Sequence, residues 1–561
     1  MKVTDAIAAA LTELGADTVF GVVGSGNFHV TNALIARGAR YVAARHECGA
    51  ASMADGWARL AGRPGVLSLH QGPGITNALT GITEAAKSRT PLLVLAADVS
   101  TAAVTSNFRI DVGAIAAATG ATPARLHSPG FAVDDAVRAY RTARDERRTV
   151  LLALPLDVQG GECAWPGPPD STAAAPVPPA PRPAAELAGI LARAARPVFI
   201  AGRGARNSGS RRELERLADG CGALLATSAA AKGLFRGSPW DLDVSGGFAS
   251  PLAAELISGA DVVVGWGCSL NMWTTRHGSL LGPDTLVVQV DCEMDAIGRH
   301  RLLRLGVVGD VALTASAVAE LLETEPREPL PADAGDADEL PGPGYRSEGL
   351  RKRLAAGVRW RDVAFEDTSE PDRIDARSLS IAVDDMLPAE RIVAVDSGNF
   401  MGYPSMFLSV PDQDGFCFTQ AYQSIGLGLA SAIGSAIARP DRLVVAALGD
   451  GGALMGISEL ETAVRLSLPM VILVYDDEAY GAEVHHFGPE GFPLETVQFP
   501  AADLAAIARG FGCDALTVRS VADLEPLRDW LASKPTRPIL LDAKVTAERG
   551  SWWLEEAFRG H

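Results

Sequence analysis

Short apolar runs alternate with Ala- and Leu-rich segments of helical period along most of the chain. Among the runs are TVLLAL, PVFIAG, DVVVGWG, TLVVQVD, LVVAALGD, MVILVYDD and PILLDAKV. Continuous apolar runs of this length are typical of strands that are covered on both faces, as in parallel sheets. The pattern therefore predicts α/β domains whose sheets are mainly parallel.

Two stretches interrupt this alternation, residues 163–184 and 323–346, and both are rich in Pro with small or charged residues. Such stretches bury too little area to pack, so we expect interdomain linkers there. A chain of 561 residues is also too long for one hydrophobic core. The prediction is three domains, at residues 1–162, 185–322 and 372–561.

The N-terminal segment MKVTDAIAAALTELGADTVFGVVG has acidic residues inside its apolar stretch. It predicts an amphipathic helix followed by a strand, and not a signal peptide. No apolar run reaches the length that crosses a bilayer, so no membrane partner is expected.

The net charge of −18 argues against binding nucleic acid. The seven cysteines are odd in number and widely separated, which favours a reducing cytoplasm over a disulfide framework.

A glycine-rich turn, Gly449-Asp450-Gly451-Gly452, joins an apolar run to a predicted helix. Glycines let the backbone approach a diphosphate, and the helix N-terminus offers N–H donors. Asp450 supplies a hard oxygen ligand for a divalent cation. A second carboxylate, Asp477, lies 27 positions further on, after the next predicted strand, where it can face the same ion. The alternative is the turn of an ordinary nucleotide-binding domain.

At these motifs the chain resembles the thiamine-diphosphate enzymes of the acetolactate synthase, pyruvate decarboxylase, benzoylformate decarboxylase and benzaldehyde lyase group. It is most similar to acetolactate synthase catalytic subunits. The family motif begins with GDG and ends near a paired Asn. The resemblance implies thiamine diphosphate (ThDP) as cofactor, with Mg²⁺ held by Asp450, Asp477 and the carbonyl of Ala479. It also implies cofactor contacts from Tyr480 and Gly481.

One departure from the family pattern concerns charge. Asp476 and Asp477 stand where the family usually has two Asn residues. An extra anion beside a diphosphate adds like-charge repulsion, unless the cation or a basic neighbour offsets it. The departure puts cofactor affinity and metal preference in question.

The first domain carries the segments RHECGAASMADGW and LHQGPGITN. Glu47 ends a predicted strand and begins an Ala-rich helix, where it serves either the helix dipole or chemistry. In the family that the chain resembles, this Glu hydrogen-bonds N1′ of the aminopyrimidine, above a GPG turn. The resemblance thus makes Glu47 the catalytic acid–base residue in an apolar pocket, because burial that disfavours ionisation suits proton exchange. Pro73 and Asn77 of the turn become cofactor-binding candidates.

Two further segments, DSGNF and AYQSIG, supply more candidates for cofactor binding. The family places a large apolar side chain beneath the thiazolium ring, and Ile425 corresponds to it, flanked by Gln423 and Ser424. The alternative is that Ile425 belongs to the core. Gly398 and Asn399 close another predicted strand and are expected to bind the diphosphate.

Four residues are candidates for choosing the substrate. Ser25 and His70 follow predicted strands and resemble the pair in benzoylformate decarboxylase, although a buried structural histidine is the alternative for His70. Glu483 stands where pyruvate decarboxylases carry a catalytic Glu, and a solvated loop acid is its alternative. Asn107 matches an active-site Gln of benzaldehyde lyase, but the Phe-Gln-Glu run of acetolactate synthases is missing here.

The resemblance implies a carboligase or synthase that decarboxylates a 2-oxo acid and transfers its acyl unit to an aldehyde or ketone. A non-oxidative 2-oxo acid decarboxylase is the alternative, followed by a flavin-linked oxidase and a non-catalytic homologue. The turn Gly202-Arg203-Gly204 in the central domain could hold FAD or bind nothing. In this family the site lies between two subunits, which implies an obligate homodimer or a homotetramer.

Overall fold

The computed structural model of the chain describes residues 1–207, 209–324, 344–547, 550, 551 and 553. Most of the predicted linker at 323–346 lies outside the described residues. Within them the chain forms three α/β units, and each is built on a six-stranded sheet whose strands are all parallel. The predicted fold class is therefore confirmed.

The first unit has the following strands and helices: β1 (Thr18–Gly21), β2 (Arg40–Ala43), β3 (Gly65–Leu69), β4 (Leu92–Asp98), β5 (Thr122–Arg125), β6 (Thr149–Pro155), α1 (Val3–Glu13), α2 (Phe28–Ala36), α3 (Glu47–Ala61), α4 (Pro73–Asn77), α5 (Leu79–Lys87), α6 (Val112–Thr119), α7 (Ala132–Asp145) and α8 (Leu156–Gln159). The strand order is β2-β1-β3-β4-β6-β5. The predicted N-terminal helix and strand are α1 and β1.

The second unit has the following elements: α9 (Pro181–Arg193), β7 (Pro197–Ala201), α10 (Ser210–Cys221), β8 (Leu224–Thr227), β9 (Asp241–Val244), α11 (Pro251–Ser258), β10 (Val262–Trp266), β11 (Leu286–Asp291), β12 (Leu305–Val308), α12 (Val311–Thr324) and α13 (Glu348–Gly357). The strand order is β12-β11-β10-β7-β8-β9. The apolar runs that begin at Pro197, Asp261 and Thr285 form three neighbouring strands of this sheet, as predicted.

The third unit has the following elements: α14 (Ala376–Met386), β13 (Arg391–Val395), α15 (Gly402–Phe407), β14 (Phe416–Phe418), α16 (Gly428–Ala438), β15 (Leu443–Gly449), α17 (Asp450–Met455), α18 (Glu459–Arg465), β16 (Met470–Asp476), α19 (Gly481–Phe487), α20 (Leu504–Phe511), β17 (Asp514–Val518), α21 (Glu525–Ala532) and β18 (Ile539–Lys544). The strand order is β14-β13-β15-β16-β18-β17. Every residue of β16 is buried, because helices cover both faces of the sheet.

Helices α3 and α16 join the first and third units, whose apolar residues form one continuous cluster. The backbones come close enough that a Cβ on Gly56 would collide with the Ser431 carbonyl, and one on Gly434 with the Met53 carbonyl. Glycine is required at both positions for this approach. The packing fixes the helix that begins with Glu47 against the third unit of the same chain.

Two helices lie across the predicted domain limits. Helix α9 begins at Pro181, before the predicted start at residue 185, because proline suits the first turn of a helix. Leu350 and Leu354 of α13 pack in an apolar cluster with Val198 and Ile200 of the second unit, beyond the predicted end at residue 322. The domain limits themselves stay a prediction. Over the described part of the chain, no helix has the length and apolar character needed to span a membrane.

Candidate functional site

Three aspartates meet at the carboxyl edge of the third sheet. Strands β13, β15 and β16 are neighbours, and Asp396, Asp450 and Asp477 each directly follow the last residue of one of them. Asp450 is buried and begins α17, so the glycine-rich turn leads into a helix as expected. The structure therefore brings Asp450 and Asp477 to the same part of the sheet edge, as their spacing predicts.

Burial and neighbouring acids raise the pKa of both predicted metal ligands. Burial, together with the carboxylates of Asp477 and Asp476, raises the pKa of Asp450 to about 8. Burial likewise raises the pKa of Asp477 to about 6. A divalent cation between two such carboxylates would offset both effects. The described residues contain no group of three or more His, Cys, Asp or Glu side chains suited to a metal ion.

Asn399 and Gly481 form a narrow cradle beside Asp477. The Asn399 side chain hydrogen-bonds to Asp477, and its Oδ1 accepts a hydrogen bond of 2.9 Å from Ser551 Oγ. The indole N–H of Trp553 donates to the Asn399 carbonyl at 3.1 Å. A Cβ on Gly481 would collide with Asp477 Oδ2 and lie 3.0 Å from Asn399 Nδ2. The cradle thus leaves no room for a side chain at residue 481.

A buried carboxylate holds the turn that carries Ile425. Asp396 is fully buried and accepts backbone N–H bonds from Gly426 at 2.8 Å and Leu427 at 3.2 Å. A Cβ on Gly452 would lie 2.5 Å from Asp396 Oδ2, so glycine is needed there too. Burial raises the pKa of Asp396 to about 6 against these hydrogen bonds. Asp396 is a supporting residue that the sequence analysis did not single out.

The turn itself lies at the surface of the chain. Gln423 is exposed and has a φ of +60°, a left-handed conformation that is costly for a residue with a side chain. Ser424 and Ile425 are partly exposed. Ile425 is therefore not a core residue, which removes the alternative explanation of its apolar character. Gly398, before the cradle, also has a positive φ, of +133°.

The first unit brings a second group of candidates together. Glu47 begins α3, and its Oε2 accepts a hydrogen bond of 3.1 Å from the Asn77 amide. A Cβ on Gly74 would lie 3.8 Å from Glu47 Oε1 and 3.1 Å from His70 Cβ. Glu47 is only partly buried, while Pro73 and Asn77 are exposed. One chain alone does not complete the apolar pocket that the sequence predicts around Glu47.

A glutamate of the third unit supports the strand end before Glu47. The buried Glu459 carboxylate accepts N–H bonds from Arg45 at 3.1 Å and from His46 at 3.0 Å. A Cβ on Gly49 would collide with this carboxylate. Glu459 thus fixes the backbone that presents Glu47. Glu459 could not be predicted from the sequence, because the contact joins residues that are more than 400 positions apart.

His70 is held in one orientation. Its Nδ1 accepts the Gly26 backbone N–H at 3.0 Å, and its ring meets Phe108 edge to face with 5.3 Å between centroids. Burial lowers the pKa of His70. The neutral ring therefore carries its proton on Nε2, which is left as a hydrogen-bond donor. Ser25 and Asn107 are exposed, and in the sequence they directly precede Gly26 and Phe108, two residues that contact His70.

Glu483 lies in the first turn of α19, directly after the Asp477 loop, and is partly buried. The loop is anchored where the Tyr480 N–H donates to the Val497 carbonyl at 2.8 Å and where Ala479 forms an isolated bridge with Gln498. A Cβ on Gly451 would lie 2.6 Å from the Tyr480 ring. The last of these contacts places the Tyr480 ring against the glycine-rich turn.

The glycines of the turn Gly202-Arg203-Gly204 have a packing role. A Cβ on Gly202 would collide with the Gly267 carbonyl, and one on Gly204 would lie 2.8 Å from Gly267 Cα. Chain packing thus accounts for both glycines. The turn gives no support to FAD in the second unit.

Comparison with known proteins gives three family matches along the chain. They are "Thiamine pyrophosphate enzyme, N-terminal TPP binding domain" at residues 1–119, the central domain of the same family at 184–318, and its C-terminal TPP binding domain at 396–543. The three matches fall on the three α/β units in the order in which the units occur.

Relatives with assigned names match almost end to end. The chain is 30% identical over 544 residues to a probable 2-ketoarginine decarboxylase of Pseudomonas aeruginosa, covering 93% of this chain and 90% of that protein. It is 26% identical over 549 residues to a sulfoacetaldehyde acetyltransferase of Castellaniella defragrans, covering 94% and 90%. It is also 26% identical over 573 residues to a probable acetolactate synthase large subunit of Methanocaldococcus jannaschii, covering 97% and 92%.

Proposed function

The chain belongs to the family of thiamine pyrophosphate enzymes, and from that premise we propose that it is a Mg²⁺-dependent carboligase. It decarboxylates a 2-oxo acid and transfers the acyl unit to an aldehyde or ketone. The observation that carries the proposal is the paired Asp450 and Asp477 at neighbouring strand ends, with the cradle of Asn399 and Gly481 beside them. Two neighbouring acids whose pKa values are both raised make a suitable site for a cation.

The residues present fit thiamine diphosphate with Mg²⁺. We assign Asp450, Asp477 and the Ala479 carbonyl to the metal. The diphosphate is assigned to the glycine-rich turn at 449–452 and to Asn399, because backbone N–H groups at a helix start and a side-chain amide donate to phosphate oxygens. When bound, the cofactor supplies the carbon nucleophile that attacks the 2-oxo acid and accepts the negative charge left by loss of CO₂.

Glu47 and His70 are assigned to proton transfer and substrate orientation. Glu47 holds a proton at N1′ of the aminopyrimidine. Asn77 fixes its carboxylate, and Glu459 fixes the backbone that precedes it. His70 donates from Nε2 to a substrate oxygen, because Nδ1 is occupied by the Gly26 N–H. Ser25, Asn107 and Glu483 line the space around these groups in the proposed site.

We further propose that a homodimer forms the site. Glu47, Pro73 and Asn77 are open to solvent in one chain, whereas proton exchange at Glu47 needs an apolar surrounding. Large apolar side chains are exposed in both units that carry site residues. They include Phe28 and Phe108 in the first unit and Tyr422, Leu454 and Met455 in the third. A second copy of the chain that places its third unit over Glu47 would cover the exposed site residues and these apolar side chains.

A non-oxidative decarboxylase is the second candidate, and the 30% identity to the probable 2-ketoarginine decarboxylase favours it. The two functions share the cofactor, the metal site and the loss of CO₂. They differ in the last step. The decarboxylase releases the acyl unit as an aldehyde after it takes up a proton, whereas the carboligase transfers it to a carbonyl compound. Neither candidate needs FAD.

A product screen separates the two functions. The protein with ThDP and Mg²⁺ is incubated with a panel of 2-oxo acids, with and without aldehydes, and products are identified by mass spectrometry. A carboligase gives 2-hydroxy ketones or 2-hydroxy-3-oxo products whose mass is that of donor plus acceptor less one CO₂. Free aldehyde alone indicates the decarboxylase, and no ThDP-dependent product from any donor would contradict both.

A further inference from the structure

A buried lysine, Lys544, lies beside Asp476, which precedes the proposed metal ligand Asp477. Lys544 follows two residues after Asp542 on β18, and its backbone is in register with Asp476 on β16. All three side chains are less than one tenth exposed. They occupy one face of the sheet, because residues in register and residues two apart point to the same side.

Both oxygens of Asp476 are already engaged. Lys544 Nζ donates to Asp476 Oδ2, and the Glu478 backbone N–H donates to Asp476 Oδ1 at 3.1 Å. Lys544 also pairs with Asp542 Oδ1 at 3.2 Å and donates to the Ala502 carbonyl at 3.2 Å. The Asp476 carboxylate thus points into this cluster. Its neighbour Asp477 instead contacts Asn399 at the cradle.

We propose that Lys544 is a positioning residue that neutralises Asp476 and keeps its carboxylate out of the metal and diphosphate site. The family usually has an uncharged residue at this position, and the chain combines a charged one with a buried cation on the neighbouring strand. Asp477 is then the one acid of the pair that faces the cofactor. The inference rests on the proposed metal and diphosphate site.

The pairing matters because the site is strongly negative. Asp450 and Asp477 are adjacent acids, and a diphosphate with one Mg²⁺ still carries net negative charge. A further uncompensated carboxylate in a buried position repels it much more than an exposed one would. Burial disfavours the charge of Lys544, but bonding to Asp476 and Asp542 outweighs this effect and raises the pKa of the lysine. The lysine therefore keeps its charge at neutral pH.

The test removes the charges of Lys544 and Asp476, singly and together, and measures cofactor binding. ThDP is titrated at fixed Mg²⁺ into the wild type, Lys544→Met, Asp476→Asn and the double variant, with tryptophan fluorescence or calorimetry as the readout. Lys544→Met should weaken the apparent affinity about tenfold or more, since the buried carboxylates of Asp476 and Asp542 lose their cationic partner. The double variant restores the formal charge of the cluster and should bind within about threefold of wild type.

Asp476→Asn alone should bind equally well or more tightly, because Lys544 keeps Asp542 as its partner. A matched control is Lys232→Met, which removes another buried lysine, one that donates to the Leu408 carbonyl at 2.9 Å. This control should lower thermal stability and leave the affinity of the folded protein unchanged. If Lys544→Met fails to fold, the double variant and Asp476→Asn still test the proposal.

Wild-type affinity in Lys544→Met, no recovery in the double variant, or a loss beyond about threefold in Asp476→Asn would overturn it. Asp450→Ala distinguishes failure of the proposed function from failure of the role of Lys544. If Asp450→Ala binds ThDP as well as wild type, the proposed function fails. If Asp450→Ala loses binding while Lys544→Met keeps it, only the role of Lys544 fails.

Discussion

The two groups of site residues differ in how far one chain completes them. At the third sheet, Asp396 and Asp450 are buried, and side chains and backbone N–H groups hold Asp396, Asp477 and Asn399 in place. In the first unit, Glu47 has a fixed backbone, but its carboxylate is partly exposed and bonded to an exposed Asn77. The first arrangement is preorganised within one chain, whereas the second is open.

The difference separates binding from chemistry. A buried, bonded set of acids and amides can hold a cation and a diphosphate before anything else is present. A glutamate that is open to solvent has the apolar surrounding that proton exchange needs only when another surface covers it. We therefore expect variants of the third unit to fail in cofactor binding, and variants of the first unit to bind cofactor but react slowly.

The largest effect is expected from Asp450→Ala. Loss of a metal ligand should remove ThDP binding and lower activity at least about 10³-fold, because metal coordination contributes several kcal/mol. The measurement is a ThDP titration with Mg²⁺ and the turnover of the best 2-oxo acid. Asp529→Ala, at an exposed acid on α21, is the control and should behave as wild type. A variant at residue 450 that still binds and turns over would remove Asp450 from the site.

Glu47→Gln should separate the two functions of the site. An amide keeps the contact with Asn77 but cannot exchange a proton, so hydrogen exchange at C2 of bound ThDP should slow by about 10²–10⁴-fold. Proton NMR after acid quench measures that rate, and a titration should show near wild-type cofactor affinity. Glu13→Gln, at an exposed position in α1, is the matched control. Exchange at the normal rate in Glu47→Gln would exclude it from the chemistry.

Substitutions of Asp477 should change ThDP affinity less than Asp450→Ala does, and the Asn and Ala variants should differ from each other. Asp477→Asn keeps an oxygen ligand and removes one charge, so ThDP affinity at fixed Mg²⁺ should be equal or tighter. Asp477→Ala loses the ligand and should bind about tenfold more weakly or worse. Both variants should fold, which circular dichroism checks. Tight binding by the Ala variant would show that Asp477 is not a ligand.

The smallest effect concerns pH and Asp396. Its folded pKa is about 6, above the ordinary value of 3.8. Between these values the folded protein holds a proton that the unfolded chain has released. This carboxyl therefore lowers stability as the pH rises from 3.8 to about 6. Melting temperatures of the apo-protein should show wild type losing ground to Asp396→Asn across that range. A constant difference would contradict the raised pKa.

The strands were predictable because each is covered on both faces and reads as a continuous apolar run. The pair Asp450 and Asp477 was predictable for a related reason, since residues after neighbouring parallel strands meet at one sheet edge. Such local patterns carry information about the edge of a sheet. They carry none about which residue from another part of the chain will lie against it.

The supporting contacts could not be predicted for that reason. Glu459 reaches the strand end at Arg45, Lys544 pairs with Asp476, and Ser551 bonds Asn399, and each contact joins distant segments. The helix limits at α9 and α13 follow from a proline in the first turn and from packing on the second sheet. Only the folded arrangement of the chain shows them.

Subunit complementation tests most directly whether the open half of one chain works with the preorganised half of another. Glu47→Gln and Asp450→Ala, each inactive alone, are unfolded together or co-expressed so that their subunits exchange. A site shared between two chains then reforms in the mixed dimers, and random pairing predicts about a quarter of wild-type activity. If the mixture stays as inactive as the separate variants while mixed dimers are present, both halves belong to one chain and the account is contradicted.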